Sequence, residues 1–309
     1  MSATAPLVAG VELGGTKSIA VIARERDIVA RAQWPTGDDP ATTLAAIADW
    51  FKRHDLAPGI AALGIASFGP IGLHRNSDSY GKILDTPKPG WSGADVVGAL
   101  SRGFAGPIAF DTDVAGAALA EGRWGASIGC AVHVYLTIGT GIGGGIVIGG
   151  QPHSGVHHPE IGHVRVRRSP NGSFPGICPF HGDCLEGLAS GPAIAARAGQ
   201  PAQDLPPDHP VWSAVVDEIA DMMSSLILTL SPQRIVVGGG VGFGQAWLLP
   251  RLHTATAKIL NDYLPGHSAA ALSRLITPPL LGADAGVYGA VALAISGMQS
   301  GTAAAQSAA

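Results

Sequence analysis

Two cysteines and two histidines have the residue types and the spacing of a metal site. Cys178, His181 and Cys184 follow one another with two residues between neighbours, and His163 precedes them, just after Glu160. Thiolate sulfur and imidazole nitrogen are the ligands that zinc prefers in a closed tetrahedral site. The alternative is a loop whose cysteines bind no metal. The pattern predicts a structural zinc ion, which would also fix the position of Glu160, an acid that we expect to be buried.

Two acidic residues are candidates for proton transfer or substrate binding. Asp113 follows an apolar, strand-like segment and opens a segment with helical composition. An aspartate in a first helical turn is commonly there for capping, and Asp111 could share that role, so catalysis and capping both remain open. Glu160 could bind a substrate, or it could only orient a metal-bound histidine.

Three glycine-rich turns, at residues 14–15, 139–145 and 238–240, each follow an apolar strand-like segment. Backbone N–H groups in such turns can face an anion with no Cβ in the way, so phosphate is the expected ligand. The first turn, within residues 10–17, nearly fits a Walker A loop, but Thr16 occupies the lysine position and a strand follows. The second matches G-x-G-x-x-G, yet a strand follows it where a dinucleotide fold requires a helix. Two similar strand–turn–strand units with threonine predict two related lobes and a bound nucleotide.

The composition disfavours several classes of function. Of 309 residues, 14% are charged, the net charge is -4, and Lys and Arg do not cluster, which disfavours a nucleic-acid partner. No apolar run approaches the roughly 20 residues of a membrane helix. The N-terminal residues lack the charged region of a secretory signal, and the three cysteines suit a reducing compartment. We expect a cytoplasmic α/β protein without a membrane partner.

Taken together, these segments resemble the ROK family of sugar kinases, and within it the bacterial fructokinase branch. The likeness covers about residues 10–294. The segments that carry it are Glu12-Leu-Gly-Gly-Thr-Lys17, Ser67-Phe-Gly-Pro70, Thr86-Pro-Lys-Pro-Gly-Trp91, Phe110-Asp-Thr-Asp113, His158-Pro-Glu-Ile-Gly-His163, the stretch from Cys178 to Pro192, and Gly238-Gly-Gly240. The sequence departs from the family at Ala115, where Asn is common, and at His74-Arg75, where fructokinases often have Asn-Pro.

The resemblance implies an actin/hexokinase-like fold of two lobes, each built on an RNase-H-like sheet, with the nucleotide between them. We expect an N-terminal lobe over residues 1–115 and a C-terminal lobe over 116–284 that contains a zinc-binding loop at 157–190. A helix at about 285–295 would return to the first lobe, and residues 300–309 would form a disordered tail. The resemblance also suggests a homodimer.

The resemblance further implies an ATP-dependent kinase that uses Mg²⁺ and phosphorylates a hexose, D-fructose above all, on its 6-hydroxyl. Asp113 would be the general base, ionised at neutral pH because it starts a helix, and would bind the sugar with Glu160 and His163. Glu12 would reach Mg²⁺ through water. The other nucleotide contacts would come from Gly15, Thr16, Lys17, Thr140 and Gly141 at the phosphates and from Gly239, Gly240 and Pro192 near the adenosine. Glucose, mannose or N-acetylmannosamine as substrate, and an inactive sugar-binding protein, remain alternatives.

Overall fold

A computed structural model describes residues 5–54, 59–102, 104–168 and 173–307 of the chain. The strands, in chain order, are β1 (Leu7–Leu13), β2 (Lys17–Arg24), β3 (Asp27–Pro35), β4 (Ile60–Ser67), β5 (Ile108–Thr112), β6 (Val132–Ile138), β7 (Ile142–Ile148), β8 (Gln151–Pro152), β9 (Arg234–Gly238) and β10 (Ile276–Thr277).

The α-helices, in the same order, are α1 (Pro40–Arg53), α2 (Val96–Leu100), α3 (Asp113–Trp124), α4 (Leu185–Ala189), α5 (Gly191–Ala198), α6 (Val211–Leu230), α7 (Gly239–Gly242), α8 (Leu248–Leu260), α9 (Ala269–Leu275) and α10 (Ala285–Ser307). Short 3₁₀ helices lie at Ile161–His163, Ala202–Asp204 and Gly282–Asp284. Within the described ranges, no helix combines the length and the apolar character needed to cross a membrane.

The strands form two five-stranded sheets of similar design, with orders β3-β2-β1-β4-β5 and β10-β9-β6-β7-β8. In the first, β1 pairs with β2 in an antiparallel hairpin and with β4 in parallel. In the second, β6 pairs with β7 in an antiparallel hairpin and with β9 in parallel. The two glycine turns are the hairpin connections, as the strand–turn–strand pattern predicts. The two-sheet α/β fold expected from the sequence is confirmed.

The first compact unit contains the described residues up to Trp124, residues 152–158 and the described residues from 284 onward. Helices cover both faces of its sheet. Successive side chains of a strand point to opposite faces, so neighbouring residues pack against different helices. Ile19 of β2 packs in the cluster that contains α10, whereas its neighbour Ala20 packs in the cluster that contains α1.

The predicted lobe boundary after residue 115 is not the one observed. It falls inside α3, which packs along its length on α10 and belongs wholly to this unit.

Helix α10 lies directly against the backbone of its neighbours, which only glycine allows. A Cβ at Gly64 of β4 would lie 2.0 Å from the Ala290 carbonyl oxygen, and one at Gly289 would lie 2.5 Å from the carbonyl carbon of Gly116 in α3. The helix continues to Ser307, past residue 300, where the sequence predicts a disordered tail. The physical reason is composition, since the alanine-rich end has high helix propensity.

We expect Gly289→Ala to destabilise the first unit by about 1–3 kcal/mol, because the new methyl group would force α3 and α10 apart. Alanine ordinarily stabilises a helix relative to glycine, so a loss here reports the close approach itself. Thermal or urea unfolding measures the change. Gly155→Ala, where a Cβ meets nothing within 4 Å, is the control and should leave stability nearly unchanged. Equal stabilities of the two variants would contradict the packing described here.

The second compact unit contains the described residues of 125–151 and 159–283. Its core is built on α6, which buries the apolar side chains of Trp212, Val215, Val216, Ile219, Met222, Met223, Leu226 and Ile227. Glu218 of α6, fully buried, pairs with Arg197 of α5 at 2.6 Å. Arg197 also donates to the Leu188 carbonyl of α4 at 2.8 Å. This buried pair therefore ties α4, which follows Cys184, to the core helix.

Candidate functional site

The four predicted metal ligands converge in the second unit. The donor atoms of His163, Cys178, His181 and Cys184 all lie within 4.8 Å of one another. His163 Nδ1 lies 3.7 Å from Cys178 Sγ and 3.6 Å from Cys184 Sγ. With Zn–S bonds of about 2.3 Å and Zn–N bonds of about 2.0 Å, tetrahedral zinc places its sulfur and nitrogen ligands about 3.5 Å apart. Both the donor set and its spacing fit zinc.

A tight turn brings these ligands together. Cys178 and Gly182 exchange backbone hydrogen bonds of 3.1 Å and 2.9 Å, and Gly182 has a φ of +64°, a left-handed conformation that favours glycine. The turn places His181 Nδ1 3.7 Å from Cys178 Sγ. The remaining histidine belongs to the 3₁₀ helix Ile161–His163, which packs against β7: a Cβ at Gly162 would lie 1.9 Å from a β7 carbonyl oxygen. Backbone geometry therefore sets the cluster.

Glu186 lies beside this cluster, although the sequence analysis did not single it out within the stretch from Cys178 to Pro192. Its Oε2 accepts a hydrogen bond from the Ile142 N–H at 2.9 Å, beside the glycine turn at Gly141. Its Oε1 lies 4.0 Å from His163 Nε2. The imidazole thus presents Nδ1 to the thiols and Nε2 to a carboxylate, the orientation usual for a metal-bound histidine. The only sequence signal was an acid just after Cys184, in the first turn of a helix.

Two expectations about the segment around Glu160 are corrected. Glu160 is exposed rather than buried, because it lies just before the 3₁₀ helix and outside the core of the second unit. Its carbonyl accepts from the His163 N–H at 3.0 Å. The predicted zinc loop at 157–190 also starts too early. His158 is buried in the first unit, where its Nε2 accepts from the Ile71 N–H at 3.0 Å.

Three glycine segments meet in the second unit. The Gly139 N–H donates to the Gly141 carbonyl at 2.9 Å, and the Gly139 carbonyl accepts from the Gly191 N–H at 2.7 Å. A Cβ at Gly139 would lie 3.5 Å from the Gly240 nitrogen. The structure therefore brings together the segments that carry Thr140, Gly141, Pro192, Gly239 and Gly240.

The first glycine turn, in the other unit, presents an open backbone. The Gly14 N–H donates to the Lys17 carbonyl at 3.0 Å, which closes the turn. Gly15, Thr16 and Lys17 are exposed, and a Cβ at Gly15 would meet nothing within 4 Å. Glu12 lies at the end of the strand that enters this turn. The predicted phosphate-binding residues of the first unit are therefore contiguous and accessible.

Asp113 and Glu12 form a half-buried carboxylate pair in the first unit. Burial raises the pKa of Asp113 from its usual 3.8 to about 6, although its Oδ1 accepts from the Val114 N–H at 2.8 Å. Burial, and next the charge of Asp113, raise the pKa of Glu12 to about 7. The backbone N–H groups at the helix start do favour the ionised form of Asp113 and lower its pKa, but desolvation outweighs them. Asp113 is still largely ionised at neutral pH.

Capping does not require Asp113. Thr112 Oγ1 accepts from the Ala115 N–H at 3.1 Å and so supplies the side-chain cap of α3. Burial also raises the pKa of Asp111 to about 6, and its Oδ1 accepts from the Thr112 N–H at 2.7 Å. Asp111 thus bonds only to the neighbouring backbone, whereas Asp113 is a half-buried carboxylate that interacts with a second one, Glu12.

Comparison with known proteins identifies the family. The ROK family profile matches residues 8–296. A fructokinase from Zymomonas mobilis subsp. mobilis is 42% identical over 93% of this chain and 95% of its own length. A fructokinase from Pediococcus pentosaceus is 38% identical over 93% of this chain and 97% of its own length. The crystal structure of a ROK hexokinase from Thermus thermophilus matches with a TM-score of 0.77 at 26% identity, covering 95% of this chain and 99% of that one. The resemblance seen in the motifs is confirmed, and this chain belongs to the ROK family.

Proposed function

We propose that this protein is a fructokinase, which transfers the γ-phosphoryl group of ATP to the 6-hydroxyl of D-fructose. The observation that carries the proposal is the near full-length similarity to fructokinases, at 42% and 38% identity. The half-buried pair Asp113 and Glu12 supports it, since this pair supplies a base that is ionised at neutral pH beside a second carboxylate.

In the proposed mechanism, Asp113 accepts the proton of the sugar 6-hydroxyl as that oxygen attacks the γ-phosphorus. The new O–P bond forms in line with the bond that breaks, and ADP leaves. Mg²⁺ would neutralise charge on the β- and γ-phosphates, with Glu12 reaching it through water. The chemistry of Glu12 fits this role, because a nearby divalent cation would favour the ionised form that burial disfavours. Positioning and charge neutralisation dominate such a reaction.

The nucleotide and sugar contacts are assigned by residue type and exposure. The open turn of the first unit supplies Gly15, Thr16 and Lys17 for the phosphates, since its backbone and its ammonium group are exposed. In the second unit, the adjoining glycine segments supply Thr140 and Gly141 for the phosphates and Gly239, Gly240 and Pro192 for the adenosine. Glu160, being exposed, and His163 are assigned to the sugar, together with Asp113.

We assign structural zinc to His163, Cys178, His181 and Cys184, on the donor spacing described above. Coordination there would hold the 3₁₀ helix and, through it, Glu160. Burial raises the pKa of the Cys184 thiol to about 11, so a thiolate at this depth needs a cation beside it.

Thiol ligands also suit a reducing compartment, which supports a cytoplasmic location. A homodimer is proposed from the family likeness, and light scattering on the purified protein measures it.

The proposal is tested by ADP release in the presence of Mg²⁺ and ATP, with fructose, glucose, mannose and N-acetylmannosamine compared by kcat/KM. We expect the highest value for fructose. A preference for another hexose would keep the mechanism and change the substrate. Attention would then turn to His74 and Arg75, which occupy the family's Asn-Pro position and bond the carbonyls of Val156 and Ile108 at 2.7 Å and 3.3 Å. Absence of turnover with every sugar would refute the kinase proposal and favour a sugar-binding protein.

The pH dependence of kcat/KM should show the raised pKa of Asp113. A base with a pKa of about 6 loses its reactive form as the pH falls through 6, so we expect kcat/KM to fall about ten-fold per unit below it. Glu12, with a pKa of about 7, couples to Asp113, so the acidic limb belongs to the pair. Initial rates from pH 5 to 8.5, with the stability of the protein checked at each pH, give the pH dependence of kcat/KM. A limb near pH 4, the range of ordinary aspartate, would contradict the burial described.

A further inference from the structure

We propose that Thr36, which lies outside every motif singled out from the sequence, is the positioning residue of the first phosphate-binding turn. Thr36 follows β3 and is fully buried. We call its contacts to Ser18 and to the backbone of Gly14 and Thr16 the Thr36 clasp. The inference rests on the proposed kinase function, because it assigns the clasp to ATP binding.

The hydrogen-bond roles within the clasp follow from donor counting. Thr36 Oγ1 donates to the Gly14 carbonyl at 2.6 Å, and Ser18 Oγ lies 2.8 Å from Thr36 Oγ1. A hydroxyl has one hydrogen to donate, and that of Thr36 goes to Gly14, so Ser18 must be the donor to Thr36. Ser18 is also fully buried. Loss of the Thr36 hydroxyl would therefore leave the buried Ser18 hydroxyl and the part-buried Gly14 carbonyl without this partner.

The clasp holds the turn on both sides of Gly15. Besides the bond to the Gly14 carbonyl, the Thr36 N–H donates to the Thr16 carbonyl at 2.9 Å. In a trans peptide the C=O and N–H groups point in opposite directions. Because the Gly14 carbonyl points toward Thr36, the Gly15 N–H points away from it. Gly15 is exposed and a Cβ there would meet nothing within 4 Å, so an anionic oxygen can approach the turn on the side away from Thr36, where this N–H lies.

Two further elements hold Thr36 itself in place. Thr43, in the first turns of α1, donates its hydroxyl to the Thr36 carbonyl at 2.8 Å. The indole N–H of Trp91 donates to the carbonyl of Gly37, the next residue, at 3.0 Å. Both Thr43 and Trp91 are buried. The clasp is therefore anchored to the core of the first unit, and it fixes the orientation of an otherwise exposed glycine turn.

The test compares Thr36→Val with Thr36→Ser. Valine keeps the shape but removes the donor, so we expect the KM for ATP to rise about ten-fold or more while the KM for fructose stays within about two-fold. Serine retains the hydroxyl and should restore the KM for ATP. Thr256→Val is the matched control. Thr256 is fully buried and its Oγ1 has no hydrogen-bond partner among the described residues, so the same replacement breaks no bond.

If Thr36 had only a structural role, Thr36→Val would lower stability without raising the KM for ATP more than the KM for fructose. An unchanged KM for ATP in folded Thr36→Val, an equal rise in both KM values, or failure of Thr36→Ser to restore would overturn the proposal. If Thr36→Val does not fold, Thr36→Cys, whose thiol is a weak donor, should show the same selective rise. Calorimetric binding of the ATP analogue AMPPNP with Mg²⁺ separates the two proposals. If the wild type does not turn over fructose but Thr36→Val binds AMPPNP about ten-fold more weakly, the fructokinase proposal fails and the role of Thr36 stands. If the two proteins bind AMPPNP with equal affinity, the role of Thr36 is refuted.

Discussion

Asp113→Asn is expected to lower kcat for fructose by about 10²–10⁴-fold while the KM for fructose changes little. The amide cannot accept the proton of the attacking hydroxyl, but it can still accept the hydrogen bond from the Val114 N–H. Steady-state rates with saturating ATP measure the effect. Activity within a few-fold of the wild type would remove Asp113 from the mechanism.

The same variant should be more stable than the wild type at pH 8. Burial raises the pKa of Asp113 from 3.8 to about 6, so the folded state holds its proton more tightly than the unfolded chain does. Stability from this group is fully present below pH 3.8 and is lost as the pH rises through 6, by roughly 3 kcal/mol in total. Asparagine avoids that loss, so the two unfolding free energies should differ at pH 8 and converge near pH 4.

Asp111→Asn is the matched control for both measurements. Asp111 lies two residues away, and burial raises its pKa to about 6 as well. We expect a similar gain in stability at pH 8 without the loss of kcat, because Asp111 has no assigned part in the reaction. A comparable loss of kcat in both variants would show that burial of charge at this edge of the sheet, rather than Asp113 itself, governs the rate.

Cys184→Ser is expected to remove zinc, thermal stability and fructose affinity together. Cys184 is fully buried, and its Sγ lies 3.6 Å from His163 Nδ1. Without zinc the 3₁₀ helix loses the coordination proposed at His163, and Glu160 precedes that helix directly. We expect the metal content to fall from about one zinc per chain toward zero, with a rise of about ten-fold or more in the KM for fructose. Elemental analysis, thermal unfolding and kinetics measure the three effects.

Cys130→Ser provides the comparison for the zinc prediction. Cys130 is the remaining one of the three cysteines. It is half-buried and lies outside the group of side chains assigned to zinc. Its replacement should leave zinc content and KM unchanged. Absence of zinc from the purified wild type, or full zinc content in Cys184→Ser, would refute the metal assignment. Removal of zinc from the wild type by a chelator should reproduce the Cys184→Ser phenotype.

Local patterns predicted most of the fold, because the elements that they describe are local. The two strand–turn–strand units follow from β-branched runs on either side of glycine, and the ligand set follows from the short spacing around Cys178. The lobe boundary was misplaced for the opposite reason. Helix α3 belongs to the first unit because it packs on α10, at the far end of the chain, and Gly116 and Gly289 make that contact. Nothing near residue 115 reveals it.

The candidate site shows the same limit. Asp113 and the four proposed metal ligands stood out because residues close to them in the sequence indicate their chemistry. Glu186 and Thr36 did not, since their partners Ile142 and Gly14 are remote in sequence and are reached only once the sheets form. The raised pKa of Asp113 could not be foreseen either, because helix position is visible in a sequence while desolvation depends on the packing around the residue.

Identification of the product of the wild-type reaction tests the central claim most directly. With Mg²⁺, ATP and D-fructose, phosphorus NMR should show fructose 6-phosphate appearing in equal amount with ADP, and omission of the sugar should stop both. Phosphate on another hydroxyl, ADP formation that does not depend on fructose, or no reaction by folded, zinc-containing protein would contradict the account.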